Sequence, residues 1–240
     1  MWSKNRQNDL KRNYSRVVSK IRVIFSFLSV KRVPILSWSS PNPLNIQPRF
    51  VTVIFLILGL ALFGFGEALL VASGAGVSPW TVLAQGLGNF LGWSIGFSTL
   101  VVSVTVLLLW VPLRQVPGIG TILNAIIIAF MLEYALPFLP KPNTQSAQLV
   151  QAFFGVLVTG LGGGIYLISN LGPGPRDGLM TGLQKLTNFP IAWVRSGIEI
   201  TAVIAGWLMG GTVGLGTLLF AFFIGPSVAG SLFLVKKISQ

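Results

Sequence analysis

The sequence predicts an all-α polytopic membrane protein, with about six transmembrane helices arranged as two inverted three-helix repeats, each carrying a short interfacial or re-entrant helix. Three observations predict it. Hydrophobic residues make up 52% of the chain and charged ones only 9%, and the apolar residues fall in long runs, unlike the alternating strands of a barrel. Stretches rich in Gly and Pro interrupt those runs at two corresponding places. The chain also matches itself when slid by about 96 residues, as from Gly59 to Gly155.

Residues 1–48 form a basic N-terminal extension. Lys4, Arg6, Lys11, Arg12, Arg16, Lys20, Arg22, Lys31 and Arg32 face only Asp9 there, a bias that retains a segment in the cytoplasm and draws it to anionic lipid, not to nucleic acid. Leu10, Tyr14, Val17, Val18, Ile21, Ile24, Phe25 and Leu28 recur at helical spacing. This predicts a basic amphipathic helix on the membrane surface. An organelle transit peptide is the alternative, since the segment is rich in Ser and poor in acids. The stretch "SSPNPLNIQP", Ser39 to Pro48, then breaks any helix and reads as a linker.

The membrane domain spans 49–240. Its hydrophobic runs are Val51 to Ala72, Ile95 to Pro112, Gly118 to Leu136, Leu149 to Asn170, Ile191 to Gly210 and Gly214 to Val235. Between the first and second, and again between the fourth and fifth, lie shorter apolar pieces, Ser78 to Leu91 and Gly174 to Phe189. Each is too short to cross and return as regular helix, and either lies in the interface or dips in as a half-helix.

The self-match divides this domain into 49–144 and 145–240. Gly64, Gly66, Gly76, Pro79 and Gly86 fall on Gly160, Gly162, Gly172, Pro175 and Gly182, and "GIGTILNA" from Gly118 falls on "GLGTLLFA" from Gly214. Three spans per copy is an odd number, so the second copy enters the membrane from the opposite side. Positive charge agrees: with both termini cytoplasmic, Arg114, Arg176, Lys185, Arg195, Lys236 and Lys237 fall near the cytoplasmic face and only Lys141 outside.

At "GAGVSPWTVLAQGL" and "LGPGPRDGLMTGL" the sequence resembles the YitT/YczE family of bacterial integral membrane proteins, from about Arg49 to the C-terminus. Pro79, Trp80, Pro175, Arg176, Asp177 and Gly178 match the family's motifs, whereas Thr81 stands where Asp is usual. The resemblance implies a multi-pass protein of the bacterial plasma (inner) membrane, of a kind often taken for a transporter.

The inventory of reactive groups is thin. There is no Cys and no His, and the acids are Asp9, Glu67, Glu133, Asp177 and Glu199. Zinc and haem ligation by those residues and Ser-His-Asp chemistry are thereby excluded, and an enzyme is not expected. No cofactor is expected either: "GLGGG" lies inside a span and lacks the Lys and Ser/Thr of a nucleotide loop. Its glycines predict close helix approach. Trp93, Trp110, Trp193 and Trp207 fall near span ends, as interfacial anchors do.

Two helix starts remain as candidate substrate-binding elements. Ser78 and Gly174 precede Pro79 and Pro175, the arrangement of an N-cap before Pro at the first helical position. Asp177 suits the positive end of its helix. Architecture alone accounts for this much. If the two starts dip inward they approach a shared site, to which Ser78, Thr81, Gly174, Arg176 and Asp177 contribute, with Arg176 as a bidentate donor. Arg176 reads equally as a positive-inside anchor. Glu67, inside the first span, and Glu199, one turn after Arg195, are candidate coupling residues, or else a buried hydrogen-bonded acid and half of an ion pair. The expectation is a carrier or permease for a small solute, embedded in the bilayer and free to form a homo-oligomer. The alternative is a non-transporting scaffold or regulator.

Overall fold

The computed structural model describes residues 33–239, so the amphipathic helix expected over Leu10 to Leu28 lies outside the described residues. Eight α-helices follow one another: α1 (Phe50–Ser73), α2 (Pro79–Leu91), α3 (Ile95–Leu109), α4 (Ile119–Ala135, continued by a 3-10 turn over Leu136–Phe138), α5 (Gln145–Ser169), α6 (Pro175–Thr187), α7 (Ile191–Leu208) and α8 (Leu215–Ile238). Among the described residues there is no strand. Helices α1, α4 with its 3-10 turn, α5, α7 and α8 are each long and apolar enough to cross a membrane. A sixth span results if α2 and α3, bent by 115° at their junction, count as one.

The helix boundaries follow from local chemistry. Gly74 and Gly92 end α1 and α2 with φ of 69° and 71°, and Asn170 and Asn188 end α5 and α6 with φ of 53° and 57°, the left-handed caps that Gly and Asn supply. Ser94 Oγ accepts the Phe97 amide at 3.3 Å and starts α3. The run expected from Ile95 to Pro112 is helical only to Leu109, because a turn sets in at Trp110. At 15 residues α3 is about 22 Å long, short of the roughly 30 Å hydrocarbon core.

Helices α1 and α5 cross at the centre. A Cβ on Gly59 would lie 2.6 Å from the Tyr166 amide nitrogen and 2.9 Å from the Gly162 carbonyl oxygen. The helices therefore touch backbone to backbone, as the Gly spacing predicts. Helix α4 packs on α1, and α8 packs on α5. The loops after α1 and α5 are pinned alike. The Gly216 amide donates to the Ala75 carbonyl at 2.8 Å, and the Gly120 amide donates to the Leu171 carbonyl at 2.7 Å. Gly76 and Gly172 both have φ of 112°, and a side chain at either would strike the start of α8 or of α4. Two breaks thus sit where only Gly fits.

Residues 33–49 carry no regular element and lie against the ends of α1 and α5. Trp38 stacks on Phe55 with ring centroids 4.4 Å apart. The Ser40 amide donates to the Ser169 carbonyl at 3.0 Å, and Asn170 Nδ2 donates to the Ser40 carbonyl at 2.9 Å.

Candidate functional site

The five-residue loops before α2 and α6 set the site, because each brings a helix start back beneath the end of the preceding span. Ser78 occupies the N-cap position of α2 but makes no side-chain cap. Its hydroxyl instead donates to Glu67 Oε2 at 2.8 Å. Thr81 Oγ1 donates to the same oxygen at 2.7 Å, and the two hydroxyls lie 2.9 Å apart. Ser78, Thr81 and Glu67 are all fully buried, so a helix start expected to cap itself solvates an intramembrane acid. The other carboxyl oxygen, Oε1, is buried without a partner.

The second start differs. Gly174 is the N-cap of α6, and Asp177 stands in its first turn. Tyr166 of α5 donates its hydroxyl to Asp177 Oδ2 at 3.1 Å. Trp110 donates its indole N–H to the Pro175 carbonyl at 2.9 Å, while its ring fills the space above Gly178. Trp110 is therefore buried core and not an interfacial anchor, whereas Trp93, Trp193 and Trp207 are exposed as expected.

The two helix starts meet at a cation and a ring. Arg176 lies over the Trp80 ring, its Cζ 5.3 Å from the ring centroid, a cation–π arrangement. Arg176 is half-buried and, among the described residues, makes no hydrogen bond or ion pair. Beside it opens a cavity of about 260 Å³, and Asp177 and Glu199 line this cavity together with Arg176, Trp80, Asn124 and Tyr166. Arg195 Nε pairs with Glu199 Oε1 at 2.9 Å on the wall formed by α7.

The structure thus brings together Glu67, Ser78 and Thr81 in one cluster, and Gly174, Arg176, Asp177 and Glu199 around the adjoining cavity. Sequence reasoning missed Trp80, Tyr166 and Asn124. Only the position of Trp80, matched to Arg176 in the self-alignment, carried a signal. Glu133 is exposed at the end of its span, and sequence reasoning missed only that its Oε2 also accepts the Gly96 amide at 2.7 Å and ties α4 to the start of α3. A larger cleft, about 660 Å³ and lined by residues such as Leu149, Phe153, Leu218 and Phe222, is wholly apolar and suits lipid chains. Among the described residues no cluster of acids could hold a metal ion.

An uncharacterized protein of Haemophilus influenzae is 38% identical over 209 residues, covering 87% of this chain and 95% of the relative. The uncharacterized membrane protein YczE of Bacillus subtilis is 35% identical over 71% of this chain and 80% of its own length. YyaS, an uncharacterized protein of the same bacterium, is 27% identical over 68% of this chain and 83% of its own length. No solved structure matches the chain. These relatives bear out the YczE resemblance read from the two Gly/Pro motifs, and several apolar helices make this a multi-pass membrane protein. The model of the family of unknown function DUF6198 matches residues 50–231, all of the membrane domain but its ends, and the chain belongs to that family.

Proposed function

We propose that the protein is a carrier or permease for a small solute, built from two halves inverted in the membrane, with its binding site where α2 and α6 begin. The observation that carries this reading is the meeting of Arg176 and Trp80, equivalent positions of the two halves, at the edge of a cavity that also holds Asp177 and Glu199. In an inverted repeat, equivalent residues touch only on the axis that relates the halves, and carriers of this kind bind their solutes there. Further support comes from the matched loops: Ala75 and Leu171 accept from Gly216 and Gly120, and Gly76 and Gly172 share one φ.

In this reading the site takes Arg176, Asp177, Ser78, Thr81 and Gly174 as its binding residues and Glu67 and Glu199 as coupling candidates. The protein sits in the bacterial inner membrane with both termini cytoplasmic, and it performs no covalent chemistry. Purified protein screened against small solutes for thermal stabilisation tests the reading, because binding to the folded state must raise its stability. The expected result is stabilisation and solute flux in proteoliposomes, both lost in Arg176→Ala at normal expression. An Arg176→Ala protein with full flux would overturn the assignment of the site. Function retained by residues 1–48 alone would favour a scaffold.

A further inference from the structure

Two donors beside the cavity are left without acceptors among the described residues. Asp177 takes the Tyr166 hydroxyl, and Glu199 is paired with Arg195. The Arg176 guanidinium has no acceptor among the described residues, and the indole N–H of Trp80 is buried without one. Two unused donors suit a ligand that brings acceptors, and a guanidinium fork fits the two oxygens of a carboxylate. The rest of the lining includes Phe63, Ile128 and Phe220, which suit an apolar tail. At about 260 Å³ the cavity falls below the roughly 300–1,000 Å³ of drug-sized pockets, so the ligand is small.

Charge then has to balance inside the membrane. Glu67 is fully buried and its Oε1 is bare, a costly state for a carboxylate. The groups facing it are the hydroxyls of Ser78 and Thr81 on α2 and the Arg176 charge on α6, while Thr159 of α5 packs against neighbouring Gly66. Arg176 is the cation among them, and Asp177 and Glu199 line the cavity beside it. An ionised Glu67 would serve as the counter-charge of Arg176 while the cavity is empty. Once a ligand carboxylate sits on Arg176, the charge on Glu67 is surplus.

We infer that the solute is a small monocarboxylate, bound to Arg176 together with one proton that passes from water to Glu67. This rests on the carrier reading. Anion and proton enter together and leave together, so the site keeps the same net charge whether empty or loaded.

The test measures acetate and benzoate binding to the purified full-length protein by calorimetry and thermal stabilisation, at successive pH values between about 5 and 8. The expected result is one proton taken up per anion. Above the pH at which Glu67 loses its proton in the empty protein, the apparent Kd should rise about tenfold per pH unit. Glu67→Gln should keep binding and lose the slope, and Arg176→Lys should weaken binding tenfold or more. If Glu67→Gln fails to fold, the proton count in the native protein, compared across buffers of different ionisation heat, decides alone. Anion binding without proton uptake, or binding of neutral or cationic solutes in place of anions, overturns this inference and leaves the carrier standing. Neither binding nor flux with any solute overturns both.

Discussion

The two halves of the membrane domain are closed to different degrees. In the first, α3 lies along α4, and Glu133 reaches across to the amide of Gly96. In the second, the corresponding helices α7 and α8 stand apart, and the space between them is the cavity reached by Arg195, Glu199, Phe220 and Ile224. The positions matching Gly96 and Glu133 are Ala192 and Ala229, so nothing there can make the same bond. On the carrier reading, the difference teaches that one repeated scaffold accepts both a shut and an open pairing of its outer helices. On that reading these are the two states a site must alternate between, seen at once in one molecule.

The largest effect belongs to the part both halves share. At the α1–α5 crossing, Gly59→Ala drives a Cβ into the backbone of Tyr166 and Gly162. Such overpacking costs about 1–3 kcal/mol. Gly197 of α7 has nothing within 4 Å of the place a Cβ would occupy, so Gly197→Ala should instead gain up to about 1 kcal/mol from helix propensity. Thermal unfolding in detergent checks both, and equal losses would show that the second half is packed as tightly as the crossing.

The tie between α3 and α4 comes next. Glu133→Ala leaves the Gly96 amide without its acceptor at a helix start, a loss of about 0.5–2 kcal/mol. It should also loosen the first half. Because the chain has no Cys, a lone cysteine at Ser98, fully buried on α3, reports this directly. Its labelling by a thiol reagent should quicken in the Glu133→Ala background. An unchanged rate would mean that apolar packing alone holds α3 to α4, and the contrast between the halves would lose its polar cause.

How much of this was legible follows from the range of the interactions. The first span, expected over Val51 to Ala72, is helical over Phe50–Ser73, and the second half's first span, expected from Leu149 to Asn170, covers Gln145–Ser169. Hydropathy and the Gly, Pro and Asn breaks act within a few residues, so they could be read from local sequence. The Arg195–Glu199 pair was legible for the same reason, being one helical turn long. The destination of a hydroxyl was not. Ser78 has the spacing of a helix cap, and only the return of α2 beneath α1 places Glu67 within its reach. Trp110 was misjudged likewise, and the bond from Glu133 to Gly96 went unseen, since hydropathy places a residue at a span end without saying which helix stands opposite. The separation of α7 from α8 left only a slight trace in the sequence, Ala192 and Ala229 where the first half has Gly96 and Glu133.

The smallest expected effect bears on the open half and is the most informative about its chemistry. Arg195 and Glu199 are 57% and 29% exposed, and a pair so placed on a helix contributes only about 0.3–0.5 kcal/mol. Glu199→Gln should therefore leave thermal stability nearly unmoved. Its electrostatic effect points the other way. The substitution removes one carboxylate that acts on Arg176 and frees the Arg195 guanidinium at the same wall. The cavity becomes more positive, and a monocarboxylate should bind about two to five times more tightly, the scale of one exposed ion pair. High salt should shrink that gain, because the wall is partly open to water. Weaker anion binding in Glu199→Gln would mean that Glu199 holds Arg195 in a pose the ligand needs. Arg195 would then belong with Arg176 in the site, and the open half would contribute chemistry as well as access.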